Sequence, residues 1–259
     1  MKDLSAFDLQ KLNSMTKYPS ILTYHELGNK GMLQNSLTEG NSFNGKEVIV
    51  TEKVDGTNGR IVAYKGDYMI GSREDILYAK GDRVINPTLG IVDTLKPLAE
   101  RLSIGWSEDL YVVYSEVYGG NVTSASKQYT NNKQWSFRVF DLCKIASELI
   151  ESLMNMERNN IASWRDHGGQ YFEDDLGLQY FINNYNVERV PYLTLMDGED
   201  IPKSLKKTYD FLKFFSKSKA TINSESGKSE GIVVRTQDRS LIRKIRFEDY
   251  ERTEKRGGF

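Results

Sequence analysis

Glu52-Lys53-Val54-Asp55-Gly56-Thr57-Asn58-Gly59 is the stretch that decides the fold of this chain. It follows Val48-Ile49-Val50-Thr51, a β-branched run bounded by turn residues, and residues 48–54 read as a buried strand. A lysine at the end of such a strand is partly desolvated. Burial disfavours the ammonium, and only the neutral amine is a nucleophile. Gly56 permits a sharp turn that brings the backbone close to a ligand. Asp55 and the Thr57 hydroxyl could then hydrogen-bond a ribose or a phosphate. Read alone, the same residues make a strand end, an Asp-Gly turn and a solvated lysine.

Working outward, further strands are expected at 60–64, 68–72, 110–118, 136–142, 231–236 and 241–247, and a short helix at 7–12. Asn86-Pro87 opens a helical stretch in which Leu89, Val92, Leu95, Leu98 and Leu102 recur at helical spacing. Ile145, Leu149 and Leu153 mark a second helix. A third is expected over 201–219, with Leu205, Tyr209, Leu212 and Phe215 on one face. Clustered strands with helices packed around them predict an α+β fold rather than regular βαβ alternation. No linker or repeat divides the 259 residues, so a single domain over 1–259 is expected.

Composition excludes several classes. The 39% hydrophobic share, with 11 Phe, 15 Tyr and 3 Trp, supplies a core. The 35 basic and 36 acidic residues nearly cancel, which excludes a histone-like protein held to nucleic acid by bulk charge. A local basic groove remains compatible with that balance. No apolar run approaches a membrane span, and Asp3 and Asp8 interrupt any secretory signal. Cys143 is the single cysteine and reads as a core thiol; with only His25 and His167 beside it, no structural zinc site can be built. The expectation is a cytoplasmic monomer that does not enter membranes. Gly40 to Lys46 has phosphate-loop spacing, but Glu47 stands where Ser or Thr would hold Mg²⁺, and a strand rather than a helix follows.

The stretch around Lys53 has companions in a fixed order. Lys53-Val54-Asp55-Gly56 resembles the Lys-x-Asp-Gly motif of the covalent nucleotidyltransferases, which comprise DNA ligases, RNA ligases and mRNA capping enzymes. Gly71-Ser72-Arg73-Glu74 resembles their arginine motif, and Val113-Tyr114-Ser115-Glu116-Val117-Tyr118-Gly119-Gly120 their first glutamate motif. Phe137-Arg138-Val139-Phe140-Asp141-Leu142 resembles the aromatic motif, Ser229-Glu230-Gly231-Ile232-Val233-Val234-Arg235 the second glutamate motif, and Leu241-Ile242-Arg243-Lys244-Ile245-Arg246 the closing basic motif. Gly56-Thr57-Asn58 and the lead-in Tyr18-Pro19-Ser20-Ile21 are most similar to the RNA ligase 2 family. Three positions depart from its pattern: Asp55 where His is frequent, Ser115 where Gly is common, and Arg246 where a second lysine often lies.

The resemblance implies a ligase-type domain of antiparallel sheets flanked by helices around an ATP cleft. It implies that Lys53 attacks the α-phosphate of ATP to give lysyl–AMP, that AMP passes to a 5′-phosphate end, and that a 3′-hydroxyl displaces it. Lys244 and Arg246 would meet the α-phosphate, and Arg73 the ribose or the incoming 5′-phosphate. Glu116 would accept from the ribose, and Glu230 would hold hydrated Mg²⁺, with Mn²⁺ the alternate ion. Backbone groups beside Thr51 and Glu52 would read adenine, while Asp55, Gly56 and Asn58 complete the nucleotide site. Phe140 is expected to stack on the base, with Phe137 the alternative. The implied partners are RNA ends or a nicked duplex in RNA repair. The chain ends 13 residues after Arg246, too few for a further domain. The expectation is therefore competent self-adenylylation, with sealing weaker, confined to pre-adenylylated ends, or assisted by an auxiliary nucleic-acid-binding protein. A DNA ligase or capping guanylyltransferase shares the lysine chemistry. A non-catalytic module for nucleotides or strand ends is the reading from another class. Ser126, Lys127 and Gln128 with Asn131, Asn132 and Lys133 form a polar loop that reads as a mobile surface loop, with contact to the substrate strand the alternative.

Overall fold

A computed structural model describes residues 3–38, 43–86, 90–105, 108–223 and 227–259. Gly40 of the phosphate-loop pattern and Leu89 of the predicted helix lie outside these. In chain order the main elements begin with α1 (Leu9–Thr16), β1 (His25–Leu27), β2 (Leu33–Leu37) and β3 (Glu47–Lys53). Strands β4 (Thr57–Tyr64), β5 (Asp67–Ser72), β6 (Ile76–Ala79) and β7 (Val84–Ile85) follow, then α2 (Ile91–Ile104), β8 (Leu110–Gly119) and β9 (Trp135–Ile145). Next come α3 (Ser147–Asn155), α4 (Arg158–Trp164), β10 (Tyr171–Phe172), α5 (Asp175–Tyr185) and β11 (Tyr192–Asp197). The chain closes with α6 (Leu205–Lys213), β12 (Gly231–Thr236), β13 (Ile242–Arg246) and α7 (Phe247–Lys255).

These elements form two compact units. One comprises Met1–Ser20, Gly56–Ser126 and Lys133–Glu188; the other comprises Ile21–Asp55, Lys127–Asn132 and Arg189–Phe259. The first unit is built on a seven-stranded antiparallel sheet of order β10-β9-β8-β4-β5-β6-β7. Strand alternation sends Ile61, Val113 and Val117 to one face, where α2 and α5 cover them with Leu95, Leu98 and Phe181. Val62, Val112 and Tyr114 go to the other face, against α1, α3 and α4 through Leu12, Met15, Leu153 and Ile161. The buried Ile91, Leu95, Leu98 and Leu102 make one stripe of α2. Each such side chain contributes about 1.5–3 kcal/mol on burial.

The second unit carries a four-stranded antiparallel sheet of order β11-β3-β12-β13. Val48, Val50, Ile232, Val234 and Ile245 from its inner face pack with Leu205 and Leu212 of α6 and with Phe247 and Tyr250 of α7. Mixed α/β architecture with antiparallel sheets flanked by helices is therefore what the sequence predicts.

Some boundaries differ from expectation. The first helix starts at Leu9 because the Asp8 carboxylate caps it, accepting from the Lys11 N–H at 2.9 Å. The helix expected over 201–219 is only Leu205–Lys213. Beyond it the Ser218 hydroxyl and the Lys219 N–H donate to the buried Glu52 carboxylate, at 2.5 and 2.7 Å, which draws the chain out of helical conformation. Phe247 opens α7 rather than closing β13.

Candidate active site

Register in the four-stranded sheet aligns the basic residues around one strand end. Lys53 of β3 stands opposite Gly231 of β12, which stands opposite Arg246 of β13. One pleat back, Thr51, Val233 and Lys244 form the parallel row. Residues two apart on a strand share a face, so Thr51, Lys53, Lys244 and Arg246 project on one side of the sheet. Glu52 points the opposite way and is 1% exposed, held by Ser218 and Lys219. Gly231 separates Lys53 from Arg246, and a Cβ there would lie 2.2 Å from the Ile245 carbonyl oxygen.

Glu230, immediately before β12, binds this face together. Its Oε2 accepts from Lys53 Nζ at 2.5 Å, and Oε1 lies 3.9 Å from an Arg246 terminal nitrogen. Arg246 also donates from Nε and its other terminal nitrogen to the buried Asp249 carboxylate, both at 2.9 Å. Burial opposes the Arg246 charge, but the Asp249 pair and the nearby Glu230 outweigh it and hold the guanidinium above its ordinary range. Asp55, after the strand, donates its N–H to the Tyr129 hydroxyl at 2.8 Å. Burial raises the Tyr129 phenol, which stays protonated.

The remaining residues named from the sequence belong to the first unit. A Cβ on Gly56 would meet the Val117 carbonyl oxygen at 2.3 Å, so this glycine lets the chain pass against β8. Asn58, Glu116 and Arg138 form one cross-strand row over β4, β8 and β9. The Asn58 Oδ1 is buried without a hydrogen-bond partner among the described residues. Arg138 bonds the Tyr118 hydroxyl at 3.2 Å and Glu188 at 2.8 Å. A bulge in β9 opposite Tyr114 and Ser115 places Phe140 on the face of Tyr114 and Tyr18, with ring centroids 6.4 and 5.0 Å away. Phe137 packs on the other face, against the Val117 cluster. Arg73 follows β5 and donates to the Ser20 hydroxyl at 2.9 Å. The fully buried Arg60 bonds the Arg73 carbonyl oxygen at 3.1 Å and also Asn13 Oδ1, fixing that turn. Burial pushes Arg60 down to about 10.

Among the described residues no cluster of three or more His, Cys, Asp or Glu is suited to a metal ion. Glu230 offers one carboxylate, the donor set of a hydrated ion held mainly by water and phosphate oxygens rather than by a protein cage. Tyr129, Asp249 and Arg138 are the residues that sequence reasoning passes over. Asp249 had one signal, its place three residues beyond Arg246, where an acid can pair with that guanidinium if the chain turns helical. Tyr129 had none.

A family model described as RNA ligase matches residues 46–251. No curated protein matches the chain. Solved structures of Naegleria gruberi RNA ligase share the fold. A lysine-to-methionine mutant with AMP and Mn is 14% identical with a TM-score of 0.58, over 93% of this chain and 62% of its own. A glutamate-to-alanine mutant with ATP and Mn gives 13% and 0.56, over 93% and 63%. The protein with PPi gives 13% and 0.54, over 92% and 64%. The chain thus spans less than two thirds of the length of these structures.

Proposed function

The chain belongs to the RNA ligase family, and from that premise we propose that it is an ATP-dependent RNA ligase with Lys53 as its nucleophile. The observation that carries the reading is the Lys53–Glu230 pair at 2.5 Å, with Arg246 and Lys244 in register beside it. Lys53 Nζ attacks the α-phosphorus of ATP, forming a P–N bond while the bond to pyrophosphate breaks. An ammonium has no lone pair, so the ion pair opens and Lys53 loses a proton before attack. Lys244 and Arg246 neutralise charge on the α-phosphate, which is the main demand of phosphoryl transfer. The 5′-phosphate of a strand then displaces Lys53 from AMP. A 3′-hydroxyl attacks that phosphate and releases AMP.

A divalent ion, Mg²⁺ or Mn²⁺, bound by Glu230 would neutralise phosphate charge and weaken the hold of the carboxylate on Lys53. On the first unit, Glu116 and the unpartnered Asn58 Oδ1 suit the donor hydroxyls of a ribose. Phe140 is the stacking residue, and Arg73 suits a phosphate or ribose oxygen. Backbone groups at Thr51 and Glu52 remain the proposed adenine readers, although the Glu52 N–H is already given to the Pro191 carbonyl oxygen at 2.9 Å. The substrates are RNA ends or nicks in RNA repair, joined by one nucleotidyltransferase domain acting as a cytoplasmic monomer, alone or with an auxiliary nucleic-acid-binding protein. No helix among the described residues is long and apolar enough to cross a membrane.

Radiolabelled nucleotide followed by denaturing electrophoresis tests the chemistry. Label is expected from ATP in the presence of Mg²⁺ and lost in Lys53→Ala. Label from GTP alone indicates capping chemistry. No label from either, or label that survives Lys53→Ala, removes the proposal. Matched RNA and DNA nicks then decide the strand.

A further inference from the structure

Lys53 is the last residue of β3, at the point where its pairing with β12 ends. Strand ends fray, yet attack on phosphorus needs the amine fixed to a fraction of an ångström. Beyond the ladder, the Asp55 amide donates to the hydroxyl of Tyr129, a side chain 0% exposed. The same short segment reaches the other member of the pair. Gln128 Oε1 accepts from the Lys228 N–H at 2.6 Å, two residues before Glu230.

Further bonds close the bracket. The Ile222 N–H donates to the Tyr129 carbonyl oxygen at 2.8 Å, and the Thr130 hydroxyl to Asn223 Oδ1 at 3.0 Å. Gly227 packs so tightly that an added Cβ would lie 2.4 Å from Gln128 Cβ. Residues 127–132 therefore touch the chain two residues after the nucleophile and two residues before its carboxylate.

Resting on the ligase reading, we propose that Tyr129 is a positioning residue, and that the strap 127–132 sets the Lys53–Glu230 geometry from both sides. The phenol holds the peptide that follows the nucleophile, while Gln128 holds the approach to Glu230. Neither side chain touches the nucleotide in this account. Their loss should lower the rate of lysyl–AMP formation without weakening ATP binding.

Tyr129→Phe keeps the buried ring and removes the hydroxyl, and with it the acceptor for the Asp55 amide. The rate of lysyl–AMP formation at saturating ATP is expected to fall about tenfold, with the half-saturating ATP concentration unchanged. Gln128→Ala, which severs the other end of the strap, should move the rate in the same direction by less. Amide hydrogen exchange on the ligand-free proteins reads the bracket directly: in Tyr129→Phe, Asp55 should lose protection while Val48 to Thr51 keep theirs. A normal rate, a fall that follows only from weaker ATP binding, or unchanged Asp55 exchange overturns the proposal. If Tyr129→Phe does not fold, a normal rate in Gln128→Ala overturns it and a slowed rate at unchanged half-saturation supports it. If the wild-type chain forms no adduct with any nucleotide, the ligase reading fails, while the exchange comparison still decides whether Tyr129 fixes the turn.

Discussion

Gly231→Ala tests whether the alignment of Lys53 with Arg246 matters. The new Cβ would lie 2.2 Å from the Ile245 carbonyl oxygen and 2.8 Å from Arg246 Cα, both backbone atoms. Ordinary contact begins near 3.4 Å, so β13 must move away from β12 by roughly 1 Å. Overpacking of this kind costs about 1–3 kcal/mol. Losing one ladder hydrogen bond adds about 1 kcal/mol, for a total of about 3 kcal/mol. For a chain of this size that lowers the thermal midpoint by about 6–12 °C. The same movement carries Arg246 away from Glu230, and an ångström of misplacement can slow the chemistry by up to about 100-fold. Differential scanning fluorimetry and the labelled-adduct assay read the two effects. Gly105→Ala is the control, since among the described residues its Cβ would meet nothing nearer than the Tyr185 hydroxyl at 3.4 Å. A Gly231→Ala protein with the midpoint and adduct rate of the control would refute the reasoning.

Arg246→Ala leaves the 1%-exposed Asp249 with Arg252, 3.5 Å away, in place of its bidentate partner and should cost about 1.5–3 kcal/mol in urea unfolding. Arg246→Lys should fall between it and the wild type. His25 is buried between the Tyr250 hydroxyl at 2.6 Å and the Lys203 carbonyl oxygen at 3.0 Å, and burial lowers its pKa from the ordinary 6.5. The unfolded chain therefore binds the proton first. Its contribution to stability is complete above pH 6.5 and is lost as pH falls from there through the folded value; urea midpoints of wild type and His25→Phe across that range should converge. Phe140→Ala should raise the ATP requirement for adduct formation about tenfold through lost stacking. Phe137→Ala should instead cost about 3 kcal/mol of lost packing, lowering the thermal midpoint by about 6–12 °C, and leave the ATP requirement unchanged.

The strands around Lys53 were legible because they are apolar on both faces. In β3, Val48, Ile49 and Val50 are all buried, so the run stands out whatever its neighbours. β11 was missed although Tyr192, Leu193, Leu195 and Met196 give it an apolar run: it is an edge strand, exposed or half-exposed along its length, and no alternation marks a buried face. α7 turns inward only Phe247, Asp249, Tyr250 and Thr253, too few apolar positions for periodicity to announce a helix. The order of the site motifs was legible, and register explains how Lys53, Glu230 and Arg246 come together. Tyr129 was not: it lies 74 positions from Asp55, in a polar loop whose sequence carries no period. The Glu52–Ser218 contact spans 166 positions and ended a predicted helix early. Such long-range polar contacts are chosen by tertiary geometry, and local pattern holds no trace of them.

Arginine at 246, where the family often has lysine, follows from the same geometry. An ammonium is one point charge and would have to choose between Asp249 and Glu230. The guanidinium is a planar fork with donors on separate edges. Nε and one terminal nitrogen are spent on the buried Asp249, while the other terminal nitrogen faces Glu230 at 3.9 Å. Asp249 is 1% exposed and cannot be stranded cheaply, so it stays with Arg246 throughout. The Glu230 side chain is 20% exposed and reaches solvent, so it is the partner free to exchange. The fixed pair anchors β13 to α7, and the exchangeable one leaves Lys53 and the outer edge of Arg246 partly open to solvent. A lysine at 246 would supply the charge without the anchor.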